Sequence, residues 1–329
     1  MSVEIKTINF EPKRMTFGHV ARRIGEGKPA TRYQEGTLDV QATANFHYKP
    51  LWEPEYWHYD TRKTAVVMED WYKPLDPRQY YYATYNIARS NMNQAVESGF
   101  AFVEERGLIA KLSSEARANI ERGLLPVRHL HWGSNMNMTE ICQRGYGTAV
   151  TAPCIFSAGD QLGLAQIVSR IGLELDGQSG ASLDRAKQTW LTDPAWQGIR
   201  QLIEDTFVER DFFQLYVAQT LAVNGVLLDL VYKHFDAAWK DGSITVGLLT
   251  GFESSWRADE AKWSDSVVKV VAAESEHNKA LVSQWAKHWI DRAIEAAKPL
   301  SVALVGDESA AHAAGHAAFS KARSLGLSL

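Results

Sequence analysis

One stretch, FVERDFFQLYVAQTLAVNGVLLDLVYKHFDAAW at residues 207–239, limits what this 329-residue chain can fold into. From 212 to 231 it is apolar on nearly every side, interrupted at every fifth residue by Gln214, Gln219, Asn224 and Asp229. Five residues advance an α-helix by about 140° past a full turn, so these four side chains are expected on different faces. A helix without a polar face is a buried one. The interruptions are too frequent for a membrane span, which needs a run of about 20 mostly apolar residues. The stretch therefore reads as the central helix of a large bundle, with buried amides and a carboxylate that need partners.

A second long helix is expected over 261–297. Its apolar stripe runs through Trp263, Val267, Val270, Val271, Leu281, Val282, Trp285 and Trp289. Glu274 and His277 fall on that stripe and form an E-x-x-H, whose i,i+3 spacing points both side chains one way on a helix. That is half of a ferritin-like di-iron ligand set, which needs two such pairs and two further glutamates. Over residues 76–300, the expected bundle, no second E-x-x-H exists: Glu97, Glu140 and Glu204 are followed by Ser-Gly-Phe, Ile-Cys-Gln and Asp-Thr-Phe. On the central helix, where a lone glutamate would stand, the residue is Gln219, a poor ligand for a hard cation. Glu274 and His277 are thus expected to be a buried, hydrogen-bonded pair. His312 and His316, i,i+4 on an Ala-rich segment with no third ligand, read as surface residues, and His129 and His131 diverge. No nucleophile elbow, P-loop or dinucleotide fingerprint is present. No catalytic, cofactor-binding or metal residue is expected in this chain.

The net charge of -4 gives no hint of nucleic acid or membrane as a partner. Cys142 and Cys154 have neither metal-ligand spacing nor a disulfide framework, which suits a reducing cytosol. The opening MSVEIKTINFEPKR carries no export signal, and a cytoplasmic location is expected. Residues 1–75 show no helical or strand period yet are rich in aromatics and prolines, unlike a disordered tail. They read as an extended arm lying on another surface. Phe46, Tyr48, Trp52, Tyr56, Trp57 and Tyr59 are the candidate contacts to a partner chain. Residues 76–300 form the bundle and 301–329 a C-terminal helical tail. Asp76-Pro77 reads as a helix start, leading into a helix up to Arg106 with a seam of Tyr81, Tyr85, Ala88, Met92, Ala95, Gly99 and Phe102. Pro126 opens another helix, interrupted by Pro153, and Asp193-Pro194 opens a third. The fold is expected to be all-α.

Several segments together carry a resemblance over almost the whole chain: MSVEIKT, RYQEGTLDVQATANFHYKPLWEP, DPRQYYYATY, HLHWGSNMNMTEICQRGYGTA and LDRAKQTWLTDPAWQGIRQLIEDTFVERDFFQLYVAQTLAVNGVLLD. The chain resembles the β subunit of the hydroxylase component of bacterial multicomponent monooxygenases, the phenol hydroxylase branch above all and the toluene monooxygenases next. The resemblance implies a ferritin-like, ribonucleotide-reductase-like bundle. It implies a partner α subunit that holds the di-iron centre and a β subunit that has lost the ligands. Gln219 would stand near the lost glutamate of the central helix, and Glu274/His277 near the second E-x-x-H. The WGSNMN segment offers no acid or histidine for the first. The implied assembly is (αβγ)2, served by a regulatory protein and a reductase carrying FAD and 2Fe-2S, in O2- and NADH-dependent hydroxylation of arenes. Two alternatives remain at this point. One is a di-iron enzyme in its own right. The other is a stand-alone helical binding protein with a pocket at Tyr81 and Tyr85.

Overall fold

A computed structural model describes residues 16–43 and 48–329. Helices α1 (Gly18–Ile24) and α2 (Arg32–Thr37) lie in the N-terminal region, and α2 is closed by a capping box between Thr31 and Gln34. The bundle follows as α3 (Tyr82–Glu105), α4 (Ser114–Asn119), α5 (Val127–Arg144), α6 (Thr148–Leu175), α7 (Ala181–Thr192) and α8 (Pro194–Thr206). The central helix comprises α9 (Phe212–Val217), a π-helical segment (Ala218–Leu228) and α10 (Asp229–His234). It is followed by α11 (Ser243–Thr250), α12 (Phe252–Ala273), α13 (Glu276–Val305) and α14 (Ser309–Ser324). No strand occurs among the described residues.

Between 212 and 231 every residue except Gln214 is buried, as a helix without a polar face requires. The helical run Phe212–Thr250 is long and apolar enough to cross a membrane, but 94% of its most apolar window is buried inside the bundle. The expectation that its four polar residues face different ways fails for Gln219 and Asn224, for a specific reason. Over Ala218–Leu228 the backbone is π-helical, so its hydrogen bonds run i→i+5. Residues five apart then stand nearly over one another, and the Gln219 amide donates directly to the Asn224 side-chain oxygen at 2.8 Å. Gln214 and Asp229 lie on the flanking α-helical segments, with Glu209 and Arg257 as their partners.

Asp193 caps α8 by accepting from the Ala195 N–H at 2.9 Å, with Pro194 at the first helical position, as expected. Asp76-Pro77 does not start α3. The Asp76 carboxylate instead accepts from the Arg78 N–H at 2.9 Å, and Gln79 turns to φ 53°. Local side-chain bonding of this kind competes with helix, and α3 begins at Tyr82. Its buried stripe is Arg89, Val96, Phe100 and Val103, one position off the expected seam. Ala88 and Gly99 are half-buried, while Tyr82, Ile87, Ala95 and Phe102 are exposed. Pro153 does not end a helix either. The break lies at Gly145–Gly147, and Pro153 is accommodated inside α6. Gly147 adopts φ +82°, and a Cβ there would stand 2.9 Å from the Trp71 carbonyl oxygen, so only glycine fits.

Residues 64–73, read as part of the arm, enter the core. Val66, Met68 and Trp71 are buried, and Trp71 packs on Phe212 and Phe213 with ring centroids 5.5 and 6.3 Å away. The helix expected over 261–297 is two helices. Ser275 breaks it with extended backbone and caps α13 by accepting from the Asn278 N–H at 3.1 Å.

Candidate functional site

The break at Ser275 takes Glu274 and His277 off a common helix face. Glu274 is half-buried at the end of α12 and His277 is exposed in the first turn of α13. Neither points into the core, which corrects the expected buried pair. They form a clamp on the N-terminal segment instead. Glu274 accepts from the Glu69 N–H at 2.9 Å and pairs with Lys73 at 3.0 Å. These contacts hold its carboxyl below the usual range. His277 Nε2 lies 3.3 Å from the Ala65 carbonyl oxygen. Between them, buried Asn278 takes the Val67 N–H at 3.1 Å and donates to the Val67 carbonyl at 2.8 Å. The apolar members of the stripe hold, with Trp263, Val267, Val271, Val282, Trp285 and Trp289 buried, and only Glu274 and His277, at the capped break, leave it.

The place where four helices bring inward-facing polar residues together lies elsewhere. There α5 contributes Ser134 and Asn137, α6 Ser157, the π segment Gln219 and Asn224, and α12 Glu260, all buried. Gln219 donates to Ser134 Oγ at 3.0 Å and accepts from the Asn137 amide at 2.9 Å. The Asn137 amide also reaches Thr206 Oγ1, at the end of α8, at 2.9 Å. Ser157 Oγ donates to Glu260 at 2.5 Å, and the Asn224 amide approaches the second Glu260 oxygen at 3.4 Å. Ser134 and Asn137 sit i,i+3 on α5, in the WGSNMN segment, as an E-x-x-H pair would.

Beside this layer, His131 is fully buried, with Nδ1 2.7 Å from the Gln161 amide oxygen and Nε2 2.9 Å from the Tyr232 hydroxyl. The oxygen of Gln161 can only accept, so Nδ1 carries the proton and Nε2 accepts from Tyr232. Burial lowers the His131 pKa to about 4, keeping the ring neutral. His129, as expected, diverges from it and stacks on Trp190 at 5.7 Å. His312 and His316 are exposed on α14.

These residues do not fit a carboxylate-bridged di-iron centre. Such a centre needs four carboxylates and two histidines facing one point. The layer supplies one carboxylate, Glu260, whose pKa burial raises, and its neighbours are neutral amides and hydroxyls bonded to one another. Among the described residues no group of three His, Cys, Asp or Glu stands in a metal-holding arrangement.

A second buried polar group was not legible as such. Arg89 on α3 pairs with Asp160 on α6 at 2.6 Å and with Asp259 on α12 at 3.0 Å. Arg78 joins Asp259 at 3.2 Å and Asp76 at 2.9 Å. Burial opposes the Arg89 charge, but the two carboxylates outweigh it and raise its pKa. The available signal was a lone Asp160 within the apolar run of α6. Asp229, expected to need a partner, is paired with Arg257 and, at 3.0 Å, with Lys233.

Of the candidate partner contacts, Phe46 lies outside the described residues. Tyr48, Trp52 and Trp57 are 53%, 68% and 40% exposed, and Tyr56 and Tyr59 are half-buried. Residues 50–63 form a loop held to the bundle by buried Glu53, which pairs with Arg144 at the end of α5 at 2.9 Å and with Lys63 at 3.3 Å.

Comparison with known proteins agrees with this architecture. The profile of the methane/phenol/alkene hydroxylase family matches residues 52–275. The oxygenase component MhpL of phenol 2-monooxygenase from Acinetobacter pittii (strain PHEA-2) is 45% identical over 99% of this chain and 98% of its own length. DmpL, an oxygenase component of phenol 2-monooxygenase from Pseudomonas sp. (strain CF600), is 44% identical over 93% of this chain and 92% of its own. Xenon-pressurised phenol hydroxylase from Pseudomonas sp. OX1 superposes with a TM-score of 0.93 at 40% identity, over 99% of both chains. Toluene 4-monooxygenase shares the fold at a TM-score of 0.74 and 22% identity, over 88% of this chain and 98% of its own. The ferritin-like helical bundle is thus common to all of them, and the chain belongs to the methane/phenol/alkene hydroxylase family.

Proposed function

We propose that this chain is the non-catalytic β subunit of the hydroxylase component of an aromatic monooxygenase acting on phenol and related arenes. Its relatives are oxygenase components of phenol and toluene monooxygenases, which supports a hydroxylase subunit of such an enzyme. The observation that carries the non-catalytic reading is the bundle centre. Gln219, Asn137, Ser134 and Asn224 bond to one another where opposed carboxylates would be needed, and only Glu260 is acidic. The oxygen chemistry belongs, in this reading, to a di-iron centre in a partner α subunit. This chain's residues hold that subunit's shape and position. The exposed Tyr48, Trp52 and Trp57 support an arm that meets it. An (αβγ)2 assembly, a regulatory protein, and an NADH-dependent reductase carrying FAD and 2Fe-2S complete the proposed cytoplasmic system.

Metal analysis of the purified chain, alone and co-expressed with its α subunit, tests this. Iron should be absent from the chain alone and appear in the complex in proportion to α. About two irons per chain in the isolated protein would instead make it a di-iron enzyme in its own right.

A further inference from the structure

Helices α3, α5 and α6 present an outer face without charge. From Tyr82 to Val96 the exposed residues of α3 include no Asp, Glu, Lys or Arg, and the one ion there, Arg89, is buried. From Thr148 to Ser169 the only charged residue of α6 is Asp160, also buried, and the outer row includes Ile155, Gly159 and Leu162. Between Arg128 and Glu140, α5 has no charged residue and exposes Trp132 and Met136. A helix face left in water ordinarily carries charge on about a quarter to a third of its residues, as α7 does with exposed Asp184, Arg185 and Lys187. The three rows are neighbours. Asn135 donates to the Ala158 carbonyl at 2.7 Å and His131 meets Gln161 at 2.7 Å, which sets Trp132 level with Leu162 and Met136 level with Ile155 and Gly159. On the other side of α6, Tyr85 of α3 donates to Asp160 at 2.8 Å. A groove of about 370 Å³ runs between α3 and α6, lined by Asn93, Val96, Gly159, Gly163 and Ile167 among others. Its charges are matched: Arg89 pairs with Asp160 at 2.6 Å, and Arg170 with Glu97 at 2.8 Å.

We propose that this outer face of α3, α5 and α6 is the seat of the partner α subunit, which meets it with an uncharged helix face and lays one helix in the groove between α3 and α6. This rests on the β-subunit reading and assigns the surface of that subunit's principal contact. Depletion of charge marks the core of an interface, with aromatic residues and methionine enriched, and Trp132 and Met136 stand in the middle of this face. Its size also fits. The charge-free run of α3 is about 20 Å long, and three helices side by side are about 25 Å wide. The projected area is thus roughly 500 Å², and side-chain relief raises the accessible area toward the roughly 800 Å² per partner of a stable interface. Gly159 and Gly163, one turn apart, leave the groove wall free of side chains where a partner backbone approaches.

Gly163→Leu and Leu162→Lys, each in the full chain co-expressed with its α subunit, test the proposal. A Cβ at Gly163 meets nothing within 4 Å, and leucine favours helix over glycine. Urea unfolding of the isolated Gly163→Leu chain should therefore have its midpoint at or above that of the unmodified chain. Dissociation of its complex on dilution should nevertheless become easier by about tenfold or more. Leu162→Lys, at a side chain 43% exposed, plants a charge in the neutral face and should weaken the complex likewise. Lys187→Glu, on the charged outer side of α7, should match the unmodified chain in both measurements. If both face variants hold the α subunit as tightly as the unmodified chain, this face is not its seat and the β-subunit reading stands. If they hold it unchanged and instead turn a self-associated isolated chain into a monomer, the face pairs two copies of this chain and the proposal falls. If the unmodified chain does not co-purify with the α subunit, the β-subunit reading falls and the proposal with it.

Discussion

The centre of the bundle and the cleft under the arm loop are both buried and polar, and they differ in how their polar groups are paired. At the centre each amide and hydroxyl is used by a neighbour. Asn137, Gln219 and Asn224 form a chain of contacts that ends on Glu260. In the cleft buried Lys63 and Arg144 converge on Glu53, and Arg144 also stands 3.6 Å from Glu140. A satisfied network rigidifies and specifies a core. The same fold thus has a layer of neutral amides and hydroxyls at its centre and a cleft whose floor is built of buried charges sharing one carboxylate.

The contrast predicts its largest effect at Glu53. Replacing it by glutamine keeps the volume and removes the only carboxylate that Lys63 and Arg144 share. Breaking a buried pair by removing one partner costs about 3–5 kcal/mol. Urea unfolding of Glu53→Gln in the isolated chain should lose stability in that range. A loss under 1 kcal/mol would mean that the floor of the cleft is hydrated.

The next effect belongs to the centre and depends on pH. His131 titrates at about 4 in the folded chain because burial penalises its charged ring. The unfolded value is near 6.5. A base whose folded pKa is depressed binds fewer protons folded than unfolded. Its contribution is therefore present above about pH 6.5 and is lost as pH falls toward 4. A difference of about 2.5 units corresponds to about 3 kcal/mol at most. Unfolding at pH 7 and at pH 4.5 should show the unmodified chain losing more stability on acidification than His131→Gln. Equal losses in both would mean that the ring is not held neutral by the core.

How much of this was legible in the residues follows physical lines. The buried central helix was, because apolar residues all round leave no other reading. The Asp193-Pro194 cap was, because capping is local chemistry. The pairing of Gln219 with Asn224 was not, because an α-helical ruler puts residues five apart on different faces and the π winding brings these two together. The Asp76-Pro77 start failed because the Asp76 side chain bonds Arg78 instead of a helix N-terminus. The cluster around Arg89, Asp160 and Asp259 gathers residues 71 to 170 positions apart, and no local pattern announces such a meeting.

The smallest effect is expected where the sequence pattern pointed hardest, at Glu274. An E-x-x-H on an apolar stripe suggested a core pair, and a core pair would be costly to break. In the structure Glu274 closes α12 at the surface and holds the Glu69 N–H and Lys73, so its role is to fasten residues 65–73 across the α12–α13 junction. Its depressed pKa comes from those contacts and not from burial. Trp71 and Asn278 fasten the same segment independently. Glu274→Gln should therefore leave the melting temperature near that of the unmodified chain and the iron content of the assembled hydroxylase unchanged. Amide hydrogen exchange should register the change locally, as faster exchange at residue 69 with the core untouched. A Glu274→Gln chain that lowered the iron of the complex would return this residue to the metal question.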